Sequence, residues 1–263
     1  MQEREQLTAT VKSTAWSFWQ QGAGDTVLLL HGSDGAESWR PIQAALANRY
    51  RVILPIHPGF DGTSRPDWLD SIADLAQGYA ELIDRQGWGP VHLVGYDLGG
   101  WIAAEMAVRC SHRLRSLTLI SAQGLHVPDE TPPDTFLMTD EQLLRETICD
   151  TAMLEAILAN ATPPEQAEDM IRNKEMSARL TWQPRGYDLN LQKWLHRVKA
   201  PTQILWGQQD RILSLAFGTA WCGAIPGAAC RTLASCGHAP HREQPESLEK
   251  LLHSFMANVG SVV

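Results

Sequence analysis

The sequence predicts an α/β fold, a mostly parallel sheet flanked by helices and interrupted once by a long helical stretch. Three observations carry this. Short apolar runs of the kind found in strands buried on both faces occur at 27–30, 51–54, 91–94 and 117–120. Longer segments between them repeat apolar residues at helical spacing. The alternation stops at Ser121, and strand patterns return only at 202–206 and 229–233. Such alternation calls for a parallel sheet covered on both faces. A chain of 263 residues suits one domain with an insertion. The expected division is a core of 1–121 and 199–263, with 122–198 inserted as a helical lid.

Taken in order, Thr14-Ala15-Trp16-Ser17-Phe18-Trp19 alternates polar and apolar residues, which predicts an antiparallel edge strand. The run at 27–30 closes on His31-Gly32-Ser33-Asp34-Gly35. Trp39, Ile42, Ala45 and Leu46 predict a helix over 38–48, and the strand at 51–54 ends in a loop rich in turn formers, 55–62. Ile72, Leu75, Tyr79 and Ile83 share one face of a helix over 69–86. The strand at 91–94 runs into Gly95-Tyr96-Asp97-Leu98-Gly99, followed by a helix over 98–109. In the insertion, Leu143, Leu144, Ile148, Met153, Ile157, Met170 and Ile171 recur at helical spacing, broken by Pro132-Pro133 and Pro163-Pro164. A helix over 245–259 closes the chain.

The net charge of −8, without long runs of one sign, argues against a nucleic-acid or anionic-membrane surface. No apolar run approaches a membrane span. Residues 1–6 are charged and lack an apolar core behind them, so no secretory signal is expected. Five cysteines at scattered positions suggest no disulfide framework, which makes reduced thiols and a cytoplasmic location the expectation. Cys230, Cys236 and His238 match no zinc spacing, and neither a metal nor a cofactor is expected.

Gly95 and Gly99 stand two residues either side of Asp97, between a strand and a helix. That is the pattern of a nucleophile elbow, in which the strained central residue is pushed out over the sheet. Trp206-Gly207-Gln208-Gln209-Asp210 follows a late strand, and Gly237-His238-Ala239-Pro240 follows the last one. With the His31-Gly32 turn, these motifs resemble, in their order, the α/β-hydrolase superfamily over nearly the whole chain. The resemblance implies a triad of Asp97, His238 and Asp210, with the backbone amides of Ser33 and Leu98 as the oxyanion hole.

Two branches of that superfamily are similar in different ways. Ala103-Ala104-Glu105 and the carboxyl-terminal half resemble serine esterases and carbon–carbon bond hydrolases, whereas Asp97 resembles the nucleophile of haloalkane dehalogenases, fluoroacetate dehalogenases and epoxide hydrolases. Other marks of the aspartate branches are missing. Leu98 stands where dehalogenases place a tryptophan, Asp34 where epoxide hydrolases place a proline, the turn after Asp97 lacks arginine, and Tyr187 is the lid's one tyrosine.

An ionised Asp97 needs no base to act as nucleophile. Attack on an ester carbonyl yields only an anhydride, whereas attack on an sp3 carbon displaces halide or opens an epoxide. The product is an alkyl ester on Asp97, which water activated by His238 would hydrolyse while Asp210 orients the imidazole. The expected partner is a small hydrophobic substrate in an aromatic pocket lined by Trp39, Trp101 and Tyr187, with Asp34 beside them and Trp182 and Trp194 contributing from the lid. Trp16, Trp19, Trp88 and Trp221 are expected to pack in the core and at its edge, and His57 and His241 to lie in surface loops. Two alternatives stand beside this reading: a serine-type scaffold whose nucleophile is replaced by Asp97, naturally or by engineering, and a ligand binder in which Asp97 only caps its helix.

Overall fold

The computed structural model describes residues 4–160 and 162–259. The first half of the charged amino-terminal segment and the last four residues of the expected core lie outside them. Two strands open the chain, β1 (Glu5–Val11) and β2 (Thr14–Gln21), followed by β3 (Thr26–Leu30), α1 (Arg40–Leu46) and β4 (Arg51–Pro55). Then come α2 (Ile72–Gln86), β5 (Val91–Tyr96), α3 (Leu98–Cys110) and β6 (Leu114–Ile120). Four helices, α4 (Asp140–Thr147), α5 (Thr151–Leu158), α6 (Pro164–Thr181) and α7 (Leu189–Trp194), intervene before the sheet resumes. It resumes with β7 (Thr202–Gly207), α8 (Leu215–Ala224) and β8 (Ala229–Leu233), and α9 (Pro240–Glu243) and α10 (Pro245–Val259) follow.

The strands form one sheet in the order β1-β2-β4-β3-β5-β6-β7-β8. Pairing is antiparallel from β1 through β2 to β4 and parallel from there on. The central strands β3 and β5 are buried along their whole length, as their unbroken apolar runs require. This is the expected α/β architecture.

Several details differ from the sequence reading. β2 is not the edge, because β1 pairs with it from Glu5↔Gln20 to Val11↔Thr14. Leu7, Ala9 and Val11 do alternate with polar residues, but the surrounding charge obscured a strand with one wet face. α2 begins three residues late because the extended Ser71 accepts the Asp74 N–H through its hydroxyl and so caps the helix. The stretch 122–139 carries no helix, and the helical part of the insertion begins at the Thr139 capping box.

The cysteine expectation is corrected as well. Cys222 on α8 and Cys230 on β8 form a disulfide, because the turn between the two elements brings their Cα atoms to 6.1 Å. The cytoplasmic location loses the support of an all-thiol chain. Among the described residues no helix is long and apolar enough to cross a membrane.

Candidate active site

The parallel strands β3, β5, β7 and β8 deliver Ser33, Asp97, Asp210 and His238 to the same edge of the sheet, just beyond their carboxyl ends. Open α/β sheets bind ligands at that edge. Asp97 sits at the turn from β5 into α3 with φ 51° and ψ −116°, a conformation that costs an L-residue of this size about 1–3 kcal/mol. The flanking glycines make the turn possible: a Cβ on Gly95 would lie 2.3 Å from the Gly99 carbonyl oxygen, and one on Gly99 2.2 Å from that of Leu30. The side chain of Asp97 makes no capping bond to α3, which removes the helix-cap explanation for its presence.

The buried Asp97 carboxylate is divided between two sets of partners. Oδ2 accepts the Ser33 backbone N–H at 3.0 Å and the Ser33 hydroxyl at 2.7 Å. Oδ1 accepts the Gln123 side-chain amide at 2.6 Å and faces His238 Nε2 at 3.7 Å. His238 Nδ1 donates to Asp210 Oδ2 at 2.8 Å, and Asp210 Oδ1 accepts the N–H groups of Ile212 and Leu213. Asp210 therefore shapes its own turn and orients the imidazole at once.

Charge follows from this geometry. Burial opposes the imidazolium of His238, but Asp210 and Asp97 outweigh it and hold the pKa at about 10. Burial likewise opposes the Asp97 carboxylate. The contacts of His238 and Ser33 prevail, and its pKa falls below the ordinary carboxylate value. Both shifts favour the charged forms of His238 and Asp97, which face each other at 3.7 Å. As the first residue of α3, Leu98 has an N–H without an intrahelical acceptor, at the positive end of the helix dipole.

The turn that carries Ser33 is braced from below. His31 and His57 stack at 3.7 Å. His31 Nδ1 donates to the Gly32 carbonyl while its Nε2 accepts the His57 backbone N–H at 3.0 Å, which fixes the neutral tautomer. His57 Nε2 donates to the His31 carbonyl, leaving Nδ1 to accept the Tyr79 hydroxyl. Burial lowers both histidine pKa values. Far from being a surface residue, His57 is a buried brace.

The residues expected to line the pocket separate into two groups. Trp101 is buried one turn after Asp97 and packs against Gly124. Tyr187 is half-buried, lies against His126 at 4.9 Å, and is tied to Gly124 by a backbone bridge. Asp34 and Trp39 are engaged elsewhere. Asp34 accepts bonds from Ser38 and Arg242 and faces His241 at 3.4 Å, while Trp39 is fully buried in a 4.6 Å stack with His241. Despite the cost of burial, contacts from His241, Arg242 and Ser38 hold the Asp34 carboxyl well below its usual range. His241, also read as a loop residue, is therefore buried. Trp182 and Trp194 are about half exposed, Trp182 under the Arg185 guanidinium and Trp194 near that of Arg197. Of the tryptophans assigned to packing, Trp16, Trp88 and Trp221 are buried and Trp19 packs against the core.

Sequence reasoning missed the Ser33 hydroxyl and Gln123. Only the amide of Ser33 was expected to contribute, and Gln123 stands in no motif. Its one signal was position, three residues past the end of the parallel strand β6.

Comparison with known proteins agrees with the fold. The model of the alpha/beta hydrolase family matches residues 27–251. The chain belongs to this family and is a hydrolase of the α/β fold. A monoacylglycerol lipase of Xenopus laevis is 26% identical, the match covering 91% of this chain and 77% of that protein. A 2-hydroxy-6-oxo-6-phenylhexa-2,4-dienoate hydrolase of Burkholderia cepacia is 27% identical, with coverage of 90% and 89%. Among solved structures, a membrane phospholipase A superposes with a TM-score of 0.83 at 21% identity, covering 98% of this chain and 87% of that one. A meta-cleavage product hydrolase from Pseudomonas fluorescens IP01 gives 0.79 at 23%, with coverage of 96% and 97%. These two structural likenesses concern the fold.

Proposed function

We propose that the protein hydrolyses a small apolar alkyl halide or epoxide by attack of Asp97 at carbon. The observation that carries this reading is the division of the Asp97 carboxylate: Oδ2 is anchored on Ser33 while Oδ1 faces His238, itself backed by Asp210. Oδ1 attacks an sp3 carbon, the leaving atom takes the bonding pair, and Asp97 becomes a neutral alkyl ester. Esterification removes one of the two carboxylates that keep His238 protonated, so its pKa falls and the imidazole, once deprotonated, becomes a general base. Water then attacks the Asp97 carbonyl carbon and gives its proton to His238. The charge that develops on Oδ2 is received by the Ser33 amide and hydroxyl and by the Leu98 amide. One such donor is worth about 3–4 kcal/mol of transition-state stabilisation.

Residues 122–198 serve as a lid in this reading. The Gly124–Tyr187 bridge and the packing of Gly124 on Trp101 support it, since both lie beside Gln123 at the nucleophile. The test is the intact mass of His238→Gln after exposure to haloalkanes, haloacids and epoxides. An adduct that accumulates on Asp97 is expected. Normal turnover by that variant would sink the mechanism.

A second reading rests on the relatives, one a lipase and the other a dienoate hydrolase by name. It holds that the scaffold is of the serine type and that Asp97 replaces the nucleophile. Asp97→Ser decides between the two. Hydrolysis of a p-nitrophenyl ester that appears in the variant and is absent from the parent favours the serine scaffold.

A further inference from the structure

We infer that Glu243 is a positioning residue for His238. It fastens the histidine loop to the corner between α4 and α5, and the step it serves is hydrolysis of the Asp97 ester, so the inference rests on attack by Asp97 at carbon. The last turn of a helix leaves carbonyls, and the entry to the next leaves N–H groups, without partners inside either helix. At the α4–α5 corner the two catalytic loops supply those partners. The Thr147 carbonyl accepts the backbone N–H of His238 itself at 2.9 Å. Arg211, next to Asp210, donates to the carbonyls of Arg145 and Ile148, the latter at 3.0 Å. The Glu243 carboxylate bridges the two segments. Its Oε1 accepts the Gly237 N–H at 2.8 Å, and its Oε2 accepts the N–H groups of Cys149 at 2.8 Å and Asp150 at 3.2 Å. A negative group also suits the amino-terminal end of α5.

Packing repeats the connection. Ala239, next after His238, is buried with Ile148 and Leu154 in a small apolar cluster separate from the main core, and Leu144, Met153 and Leu158 pack against it. A Cβ on Gly237 would lie 2.6 Å from the Thr147 carbonyl oxygen, so the corner rests directly on the chain before His238. The sheet side holds the same loop through the Gln209 N–H bond to the Cys236 carbonyl at 2.8 Å and through the Asp210 carboxylate. The backbone on both sides of His238 is therefore set by the inserted segment. The Asp97 carboxylate is held from elsewhere, by Ser33 and Gln123, and shares no hydrogen-bond partner with Glu243 among the described residues. Loss of the Glu243 bridge should leave the attacking oxygen in place and displace the imidazole that activates water. In the step served, water adds to the Asp97 carbonyl carbon and its proton passes to His238 Nε2. The acyl carbon–oxygen bond then breaks with its electron pair on the alcohol, which takes the proton from His238. A misplacement of about 1 Å in such a group costs on the order of 100-fold in rate.

The test compares the parent, His238→Gln and Glu243→Gln under single-turnover conditions with 1-bromobutane, whose departing bromide needs no proton. Glutamine keeps the size of Glu243 but offers one acceptor oxygen where the bridge needs two. Intact mass gives the rate at which Asp97 is alkylated and, once the reagent is removed, the rate at which the adduct is lost. In Glu243→Gln alkylation is expected to be unchanged and loss of the adduct to slow on the order of 10–100-fold. Equal slowing of the two steps, or of neither, would overturn the inference. A second readout requires no turnover: the downfield proton resonance of the His238–Asp210 hydrogen bond, expected to be sharp in the parent and broadened in Glu243→Gln. An unchanged resonance would overturn the role of Glu243 even if activity fell. If 1-bromobutane leaves no adduct on His238→Gln either, attack by Asp97 on this halide fails, and the resonance alone decides. Broadened, it retains Glu243 as the residue that positions His238; unchanged, it removes that role as well. If circular dichroism shows that Glu243→Gln does not fold, Glu243→Asp, too short to reach both sides of the bridge, is read in the same way.

Discussion

The ion pair at the centre of the site ties activity and stability to the same two residues. His238 titrates at about 10 in the folded protein against 6.5 for a free imidazole, so its contribution to stability is complete below pH 6.5 and is lost as pH rises toward 10. Asp97 shifts the other way; its contribution is complete above pH 3.8 and disappears as pH falls through its lowered folded value. Melting temperature should thus be highest between about pH 4 and 6.5 as far as this pair is concerned. The difference in melting temperature between the parent and His238→Gln should shrink steadily between pH 6.5 and 10, which a calorimetric pH series checks. A constant difference over that range would mean that His238 is not charged in the folded protein. The aspartate, the histidine and the second acid stand in short motifs, and so were legible in the sequence. Gln123 and the Ser33 hydroxyl were not, because what makes them partners of Asp97 is proximity across strand ends 26 and 64 residues away.

At the scale of elements, one contact links the inserted helices to the turn that carries Ser33. Asn173, buried on α6, donates to Asp61 Oδ1 at 2.7 Å and accepts the Asp61 backbone N–H at 2.8 Å. The other oxygen of Asp61 accepts the Ala36 N–H, three residues past Ser33. Met176 of the same helix fills the space above Gly59. Asn173→Ala should cost about 1–3 kcal/mol through buried groups left without partners. Hydrogen exchange should show faster opening along α6 and at the Ala36 amide, with β5 and β6 unchanged. Uniform acceleration over the whole chain would mean that α6 does not open independently of the sheet. The helical character of 140–194 was readable from its periodicity, but the contact was not. Asn173 lies 112 residues from Asp61, and neither stands in a motif.

The whole molecule adds a covalent constraint that composition argued against. The Cys222–Cys230 bond closes a short loop, with a sequence separation of 8, and the chain-entropy account assigns such a loop about 2–3 kcal/mol. Reduction should lower the melting temperature by about 5–10 °C, and Cys222→Ser should reproduce the loss in the absence of reductant. Equal melting curves with and without reductant would show that the bond contributes nothing. The sequence by itself determined the order of the strands from β2 onward and of the helices between them, the elbow with Asp97 at its apex, and the hydrolase class. These depend on local signals: apolar runs, glycines at fixed spacing, and short motifs that end strands. Only the tertiary structure decided which side chains meet. It turned Asp34 toward Arg242 and His241, sealed Trp39 beneath the latter, paired two of five cysteines, and set Gln123 against Asp97. Such contacts arise where the ends of neighbouring strands converge, and no spacing along the chain records that convergence.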